Sequence, residues 1–220
     1  MRVVVYDTAG PVIGVAVRDG ERWAQRVERV SRGAEARLAP WTGELCAELG
    51  FRVDQLDGVG VARGPGAFTG VRVGLAAASG LAFALGVPMW GGSSLDSRAS
   101  AVRSPEGLPV LSMLDARKQR VYAAAYGSDG LIFGGPGDVA PEVAVGWMRG
   151  PFLAVGEGAI VYREVVQQAG GTVVDGADDP AVAELAEQCQ RALIAGEGQD
   201  PITVRPEYLR EADAKPPRKL

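Results

Sequence analysis

The chain opens on an unbroken apolar run, Val3-Val4-Val5-Tyr6, closed by the turn-forming Asp7-Thr8-Ala9-Gly10, which predicts a short buried strand. Residues 12–17 resume the pattern, Asp19-Gly20 is a hairpin turn, and residues 23–30 complete an antiparallel meander. The period then changes. Leu38, Trp41, Leu45 and Leu49 recur at spacings of three and four, so residues 35–49 predict a helix with Pro40 in its first turn and Gly50 at its end. Residues 59–62 predict a buried strand. A helix over 70–85 follows, with Thr69 as N-cap, Gly86 past its end and Pro88 barring continuation. A brief strand at 89–90 and a helix capped by Ser93 or Ser94, running to residue 102, close the first half.

Residues 103–109 carry Ser, Pro, Glu and Gly and read as a linker, after which the opening pattern returns. An apolar run at 110–114 ends at Asp115, a polar turn spans 116–119, residues 121–126 predict a strand, and Ser128-Asp129-Gly130 a hairpin turn. Asp7 and Asp115 thus close equivalent strands 108 residues apart (115 − 7). Helices are predicted at 139–147, 159–169 and 180–195, the last with Asp179 as cap and Pro180 at its first position, and a strand at 152–155. Two βββαβα-type halves, 1–103 and 104–220, describe an α/β protein of the duplicated actin-like, ribonuclease-H-like architecture, whose members often bind a nucleotide between the halves.

Composition narrows the chemistry. In 220 residues the net charge is −4, which argues against a stand-alone nucleic-acid binder. The 47% hydrophobic content supports a real core. There are no histidines, so His-based triads and HExxH zinc sites are excluded, and the two cysteines, Cys46 and Cys189, fit no zinc or disulfide framework. The longest apolar stretch, 71–87, carries Arg72 and cap signals at both ends, so the expectation is a cytoplasmic protein with no membrane span.

The most informative stretch is residues 64–74, GPGAFTGVRVG. Glycines after a buried strand allow close backbone approach, and a helix N-terminus offers N–H donors to an anion. Either a tight turn or a ligand contact explains them. Arg72 opposes the dipole of its helix, so it needs a partner of its own. Neither the P-loop nor the GxGxxG spacing is met. Candidate ligand or phosphate residues are Asp7, Thr8, Gly64, Gly66, Thr69 and Asp115, with the two aspartates also suited to capping their turns.

This motif, followed by Gly86-Val87-Pro88 and Ser93-Ser94-Leu95, resembles the TsaB (YeaZ) family. The likeness runs the length of the chain through Asp7-Thr8, Asp115-Ala116-Arg117, Gly156-Glu157-Gly158-Ala159 and Pro206-Glu207-Tyr208-Leu209-Arg210. It implies an accessory subunit, without catalytic or metal residues, in making threonylcarbamoyladenosine in bacterial tRNA. The implied partners are the catalytic TsaD, which moves threonylcarbamoyl from an adenylate to tRNA, and the ATPase TsaE, with a homodimer when alone. No cofactor is expected to bind firmly, and ATP with Mg²⁺ enters only at the level of the complex. The His-x-x-x-His metal pair of TsaD has no counterpart in a chain without histidine, and Arg32-Gly33-Ala34 stands before Glu35 where many relatives carry a histidine.

The family also suggests a subunit interface on the first two long helices, formed by Glu35, Leu38, Trp41, Leu45, Arg72, Leu75, Ala78, Ala82 and Leu85, with Arg72 and Glu35 paired at its rim. The competing reading of the small stripe Gly70, Gly74, Ala78, Ala82 is packing on the protein's own sheet. Two rival functions remain, an independent actin-fold ATP phosphotransferase and a TsaD-like peptidase. The basic residues Lys215, Arg218 and Lys219 near the C-terminus read as a solvated end, with contact to tRNA as the competing reading.

Overall fold

A computed structural model describes residues 1–102, 107–174, 176 and 178–210. The strands are β1 (Arg2–Asp7), β2 (Val12–Asp19), β3 (Arg22–Arg29), β4 (Gly58–Ala62) and β5 (Met89–Gly92), then β6 (Val110–Asp115), β7 (Val121–Tyr126), β8 (Ile132–Val139), β9 (Phe152–Val155) and β10 (Gly171–Val173). They form two five-stranded sheets, β3-β2-β1-β4-β5 and β10-β9-β6-β7-β8. Read from opposite ends the two orders are the same. In each, the strand that ends in aspartate pairs antiparallel with the next strand and parallel with the fourth. The duplicated actin-like fold expected from the sequence is therefore present, with β1 equivalent to β6 and Asp7 to Asp115.

The helices are α1 (Glu35–Glu48), α2 (Phe68–Leu85), α3 (Ser94–Ala101), α4 (Pro141–Val145), α5 (Glu157–Val161), α6 (Arg163–Gln168) and α7 (Val182–Ile194). The alternation of side chains in β1 explains its continuous apolar run. Val4 and Tyr6 join the core under α1 and α2, whereas Val3 and Val5 meet Val182, Leu185, Ala186 and Cys189 of α7 on the opposite face. A sheet buried on both sides needs apolar residues at every position.

That second face revises the expected domain division. Helix α7 lies in the second half of the sequence but covers the first sheet, where Gly60 leaves room for it: a Cβ there would come within 2.8 Å of the Cys189 sulfur. Reciprocally, Leu95 and Ala99 of α3 pack with Val110, Leu114, Ala124 and Tyr126 of the second sheet. Each half thus sends its last helix to the other sheet. Below, lobe 1 is the first sheet with α1, α2 and α7, and lobe 2 the second sheet with α3 to α6.

Three boundaries moved. Strand β8 fills the stretch between the expected hairpin turn at 128–130, which is present, and the helix expected from 139, which starts at Pro141; it had no assignment because Gly134-Gly135-Pro136-Gly137 carries no strand signal, and it is an edge strand and half exposed. The predicted helix over 159–169 is broken at Tyr162 into α5 and α6. Helix α7 starts with Ala181 at its N-cap, not at Asp179-Pro180. Residues 103–106 of the expected linker and the basic residues 215–220 fall outside the described residues.

Candidate functional site

The two equivalent aspartates close strands that point into a cleft between the lobes. The cleft has a volume of about 1070 Å³ and draws its walls from the 8–11 turn, the 29–35 segment, the 66–70 turn, the 115–118 turn, Glu157 and Arg210. Clefts of this kind are where α/β sheets present loops to ligands.

Asp7 is fully committed within the protein. Its Oδ1 accepts the Ala9 N–H at 2.9 Å and its Oδ2 accepts from Arg98 Nη1 at 2.8 Å. Both side chains of this ion pair are about 98–99% buried. Arg98 Nη1 also donates to the Ser94 carbonyl at 2.8 Å, so α3 is fastened to the end of β1. Ser93 caps that helix, as expected, by accepting from Leu95 N and Asp96 N.

The GPGAFTGVRVG segment is a packing junction. Thr8 Oγ1 donates to the Gly70 carbonyl at 2.7 Å, and Ala67 N donates to the Ala9 carbonyl at 2.7 Å. A Cβ on Gly66 would lie 2.5 Å from the Ala9 oxygen, and one on Gly70 only 2.0 Å from the Thr8 oxygen. Gly64, at φ 117°, lies under the Glu207 carbonyl. Close backbone approach thus accounts for all three glycines without a ligand. Thr69 is not the cap: α2 begins at Phe68, Ala67 holds the N-cap position without a side-chain bond, and Thr69 stands exposed in the first turn.

Asp115 folds back on its own turn, accepting from Arg117 N at 2.9 Å and from Arg117 Nη1 at 3.1 Å. Arg117, Lys118 and Gln119 have φ of 60°, 53° and 58°, three successive left-handed residues without a glycine. Such residues cost about 1–2 kcal/mol each, a strain placed at the mouth of the cleft. Glu157, at the start of α5, faces the cleft near Gly10, with its Oε2 buried and unpaired among the described residues. Burial pushes its carboxyl pKa up, the Arg98 guanidinium opposes that, and Asp7 and Asp115 add to the rise.

No group of three or more His, Cys, Asp or Glu side chains able to hold a metal occurs among the described residues. Burial raises the Cys46 thiol to about 11 and pushes Cys189 further up, so neither is a thiolate near neutral pH.

The expected interface residues divide. Leu38, Leu45, Ala78 and Ala82 are 0–1% exposed and belong to the core of lobe 1, so they face their own sheet and not a partner. In α2 the small stripe Gly74, Ala78, Ala82 is what lets the helix lie close to β4 and β1. Trp41, Leu75 and Leu85 are only partly covered, and Glu35 is exposed. Arg72 has Tyr208 in place of Glu35, with Nε 2.9 Å from the tyrosine Oη and the guanidinium 3.7 Å from the centre of the Phe68 ring. Helix α2 exposes Ala76, Gly80, Phe83 and Ala84 on its outer face, beside Thr69 and Arg72. Its mean hydropathy of 1.5 over 18 residues makes it long and apolar enough to cross a membrane by composition alone, yet only 22% of it is buried, and Phe83 is 75% exposed.

Sequence reasoning missed Phe83, Arg98 and the role of Arg210. Phe83 falls off the small-residue stripe used to define a face; Arg98 looks like an ordinary surface residue of a short helix. Glu157, Tyr208 and Arg210 stood inside quoted motifs but carried no assigned role.

Residues 28–145 match the family model described as TsaD, tRNA N6-adenosine threonylcarbamoyltransferase. The tRNA threonylcarbamoyladenosine biosynthesis protein TsaB of Escherichia coli is 29% identical over 219 residues, covering 93% of this chain and 95% of that protein. A longer uncharacterised protein of Mycobacterium leprae is 33% identical, and the chain spans 56% of its length. The solved structure of YeaZ from Pseudomonas aeruginosa superposes with a TM-score of 0.80 at 29% identity, covering 94% of this chain and 99% of that one. With the shared motifs and the duplicated sheets, these findings show that the chain belongs to the TsaB (YeaZ) family.

Proposed function

We propose that the chain is the non-catalytic partner of TsaD in tRNA threonylcarbamoylation, and that it docks through the outer face of α2. The single observation that carries this is the uncovered apolar surface around Phe83, in a helix only 22% buried. An exposed aromatic on a rigid helix is the usual anchor of a protein interface. Ala76, Gly80 and Ala84 lie exposed on the same side of the helix, while Leu75, Leu81 and Leu85 turn toward the core and are partly covered. Two helices apposed here would bury roughly 1,200–2,000 Å² in total, a standard interface. The same face serves a homodimer when TsaD is absent.

Catalysis is left to the partner in this reading. Its support is that Asp7 is bound up with Arg98, Asp115 with Arg117, and both thiols are protonated. TsaE and tRNA belong to the assembled complex. The test is the affinity of purified TsaD for this chain by calorimetry. Phe83→Asp should weaken it by about 30-fold or more, the ~2 kcal/mol of an anchor residue. Unchanged affinity in a folded variant would count against the reading. The cleft of about 1070 Å³ favours one alternative, an ATP phosphotransferase; ATP turnover by the isolated chain at ordinary enzyme rates would establish it.

A further inference from the structure

The segment after α7 does more than end the chain. It pairs with β5 through a bridge between Gln199 and Met89, receives Ser79 Oγ on the Pro201 carbonyl at 3.1 Å, and inserts Val204 into the core of lobe 1. It then crosses the GPGAFTGVRVG junction. Glu207 N donates to the Arg63 carbonyl at 2.7 Å, the Glu207 carbonyl covers Gly64, and the Tyr208 ring stacks on Phe68 at 5.2 Å. Every contact so far is with lobe 1.

Two residues later the segment reaches lobe 2. Arg210 makes a fork to Asp138 of β8, Nε to Oδ2 at 2.6 Å and Nη2 to Oδ1 at 2.9 Å, while Nη1 donates to the Ala116 carbonyl at 2.9 Å. Its guanidinium also stands 5.9 Å from the centre of the Tyr122 ring. Arg210 lines the cleft. The two lobes also meet where α3 contacts α7. The molecule therefore joins its lobes through the packed α3 junction and through a strap that crosses at the cleft.

We propose that residues 199–210 are a latch that holds the lobes closed over the cleft, with the Arg210 fork on Asp138 and Ala116 as its catch. A bidentate arginine–carboxylate pair fixes direction as well as distance, so it sets one closed spacing. Release leaves the contacts of α3, with α7 and through Arg98 with Asp7, as the hinge, and the cleft widens. Asp138 supplies an internal control, because Arg120 also binds it, Nε to Oδ1 at 2.7 Å, but from within lobe 2. Removing Arg120 takes the same charge from Asp138 without cutting any tie between the lobes.

The test uses spin labels on cysteines placed at Gln25 and Gln167, exposed on lobe 1 and lobe 2. Distance distributions are measured by pulsed electron resonance in the full chain. The parent should give one narrow distribution. Arg210→Ala should shift and broaden it, Arg210→Lys, which keeps the charge but not the fork, should do so in part, and Arg120→Ala should leave it in place. Should Arg210→Ala not fold, the lysine variant decides. Identical distributions for the parent and the folded Arg210 variants overturn the proposal, as does an equal change on Arg120→Ala.

Discussion

Replacing Asp7 by Asn separates a structural aspartate from a ligand-binding one. The substitution keeps the shape and leaves an oxygen for the Ala9 N–H, but removes the charge facing Arg98. The guanidinium then stays buried, 2% exposed, with Nε and Nη2 already without a hydrogen-bond partner among the described residues. Breaking a buried ion pair from one side costs about 3–5 kcal/mol, because the remaining charge is uncompensated. At about 2–4 °C per kcal/mol for a chain of this size, the melting temperature should fall by roughly 6–20 °C. Urea unfolding followed by circular dichroism reads the same loss as a lower midpoint at unchanged slope. Asp7→Asn combined with Arg98→Met, which removes both charges, should recover part of the stability. A single variant within about 0.5 kcal/mol of the parent would refute the reasoning, since a free energy of that size lies within ordinary surface effects, and would return Asp7 to the role of a ligand residue.

Gly70→Ala should destabilise strongly, because the added Cβ falls 2.0 Å from the Thr8 oxygen, whereas Gly80→Ala in the same helix, with nothing within 4 Å, should stabilise by about 0.5–1 kcal/mol; thermal unfolding of the pair checks both. Glu157→Gln should flatten the pH dependence of stability. Burial raises the folded-state value, so the folded chain holds the proton more tightly than the unfolded one, and stability present below the unfolded value near 4.3 is lost as pH rises through the folded value. The variant should match the parent at low pH and exceed it at pH 8. Ala78→Glu should unfold lobe 1, because its Cβ is fully buried, so any loss of partner binding must come with loss of helical signal; Phe83→Asp should lose binding with the fold intact.

The strands that build both sheets were legible where β-branched runs ended at a turn, as in β1, β2, β6 and β7. Their duplication was legible from the strand, aspartate, turn, strand and hairpin that recur at Asp7 and Asp115, taken together with the αβ alternation behind each. β8 was not, since Gly-Gly-Pro-Gly carries no strand signal and its pairing with β7 is a tertiary fact. The return of α7 to the first sheet is of the same kind: its apolar stripe announces that it packs, not on what. The site shows the same limit. The glycines of residues 64–74 announced a close approach, but whether to a ligand or to the Thr8-Ala9 backbone depended on a segment far away in sequence. The stripe Ala78-Ala82 marked a contact face but left its partner open, because a small-residue stripe suits a sheet of the same chain as well as a second subunit, and the structure sets it on its own sheet.

The most direct measurement is reconstitution. TsaD is supplied with threonylcarbamoyl-adenylate, TsaE, ATP and substrate tRNA, and modified adenosine is quantified with and without this chain, with the Phe83→Asp variant as a third arm. Modification that requires the chain and fails with the variant is the predicted result. Equal modification in all three arms would contradict the account.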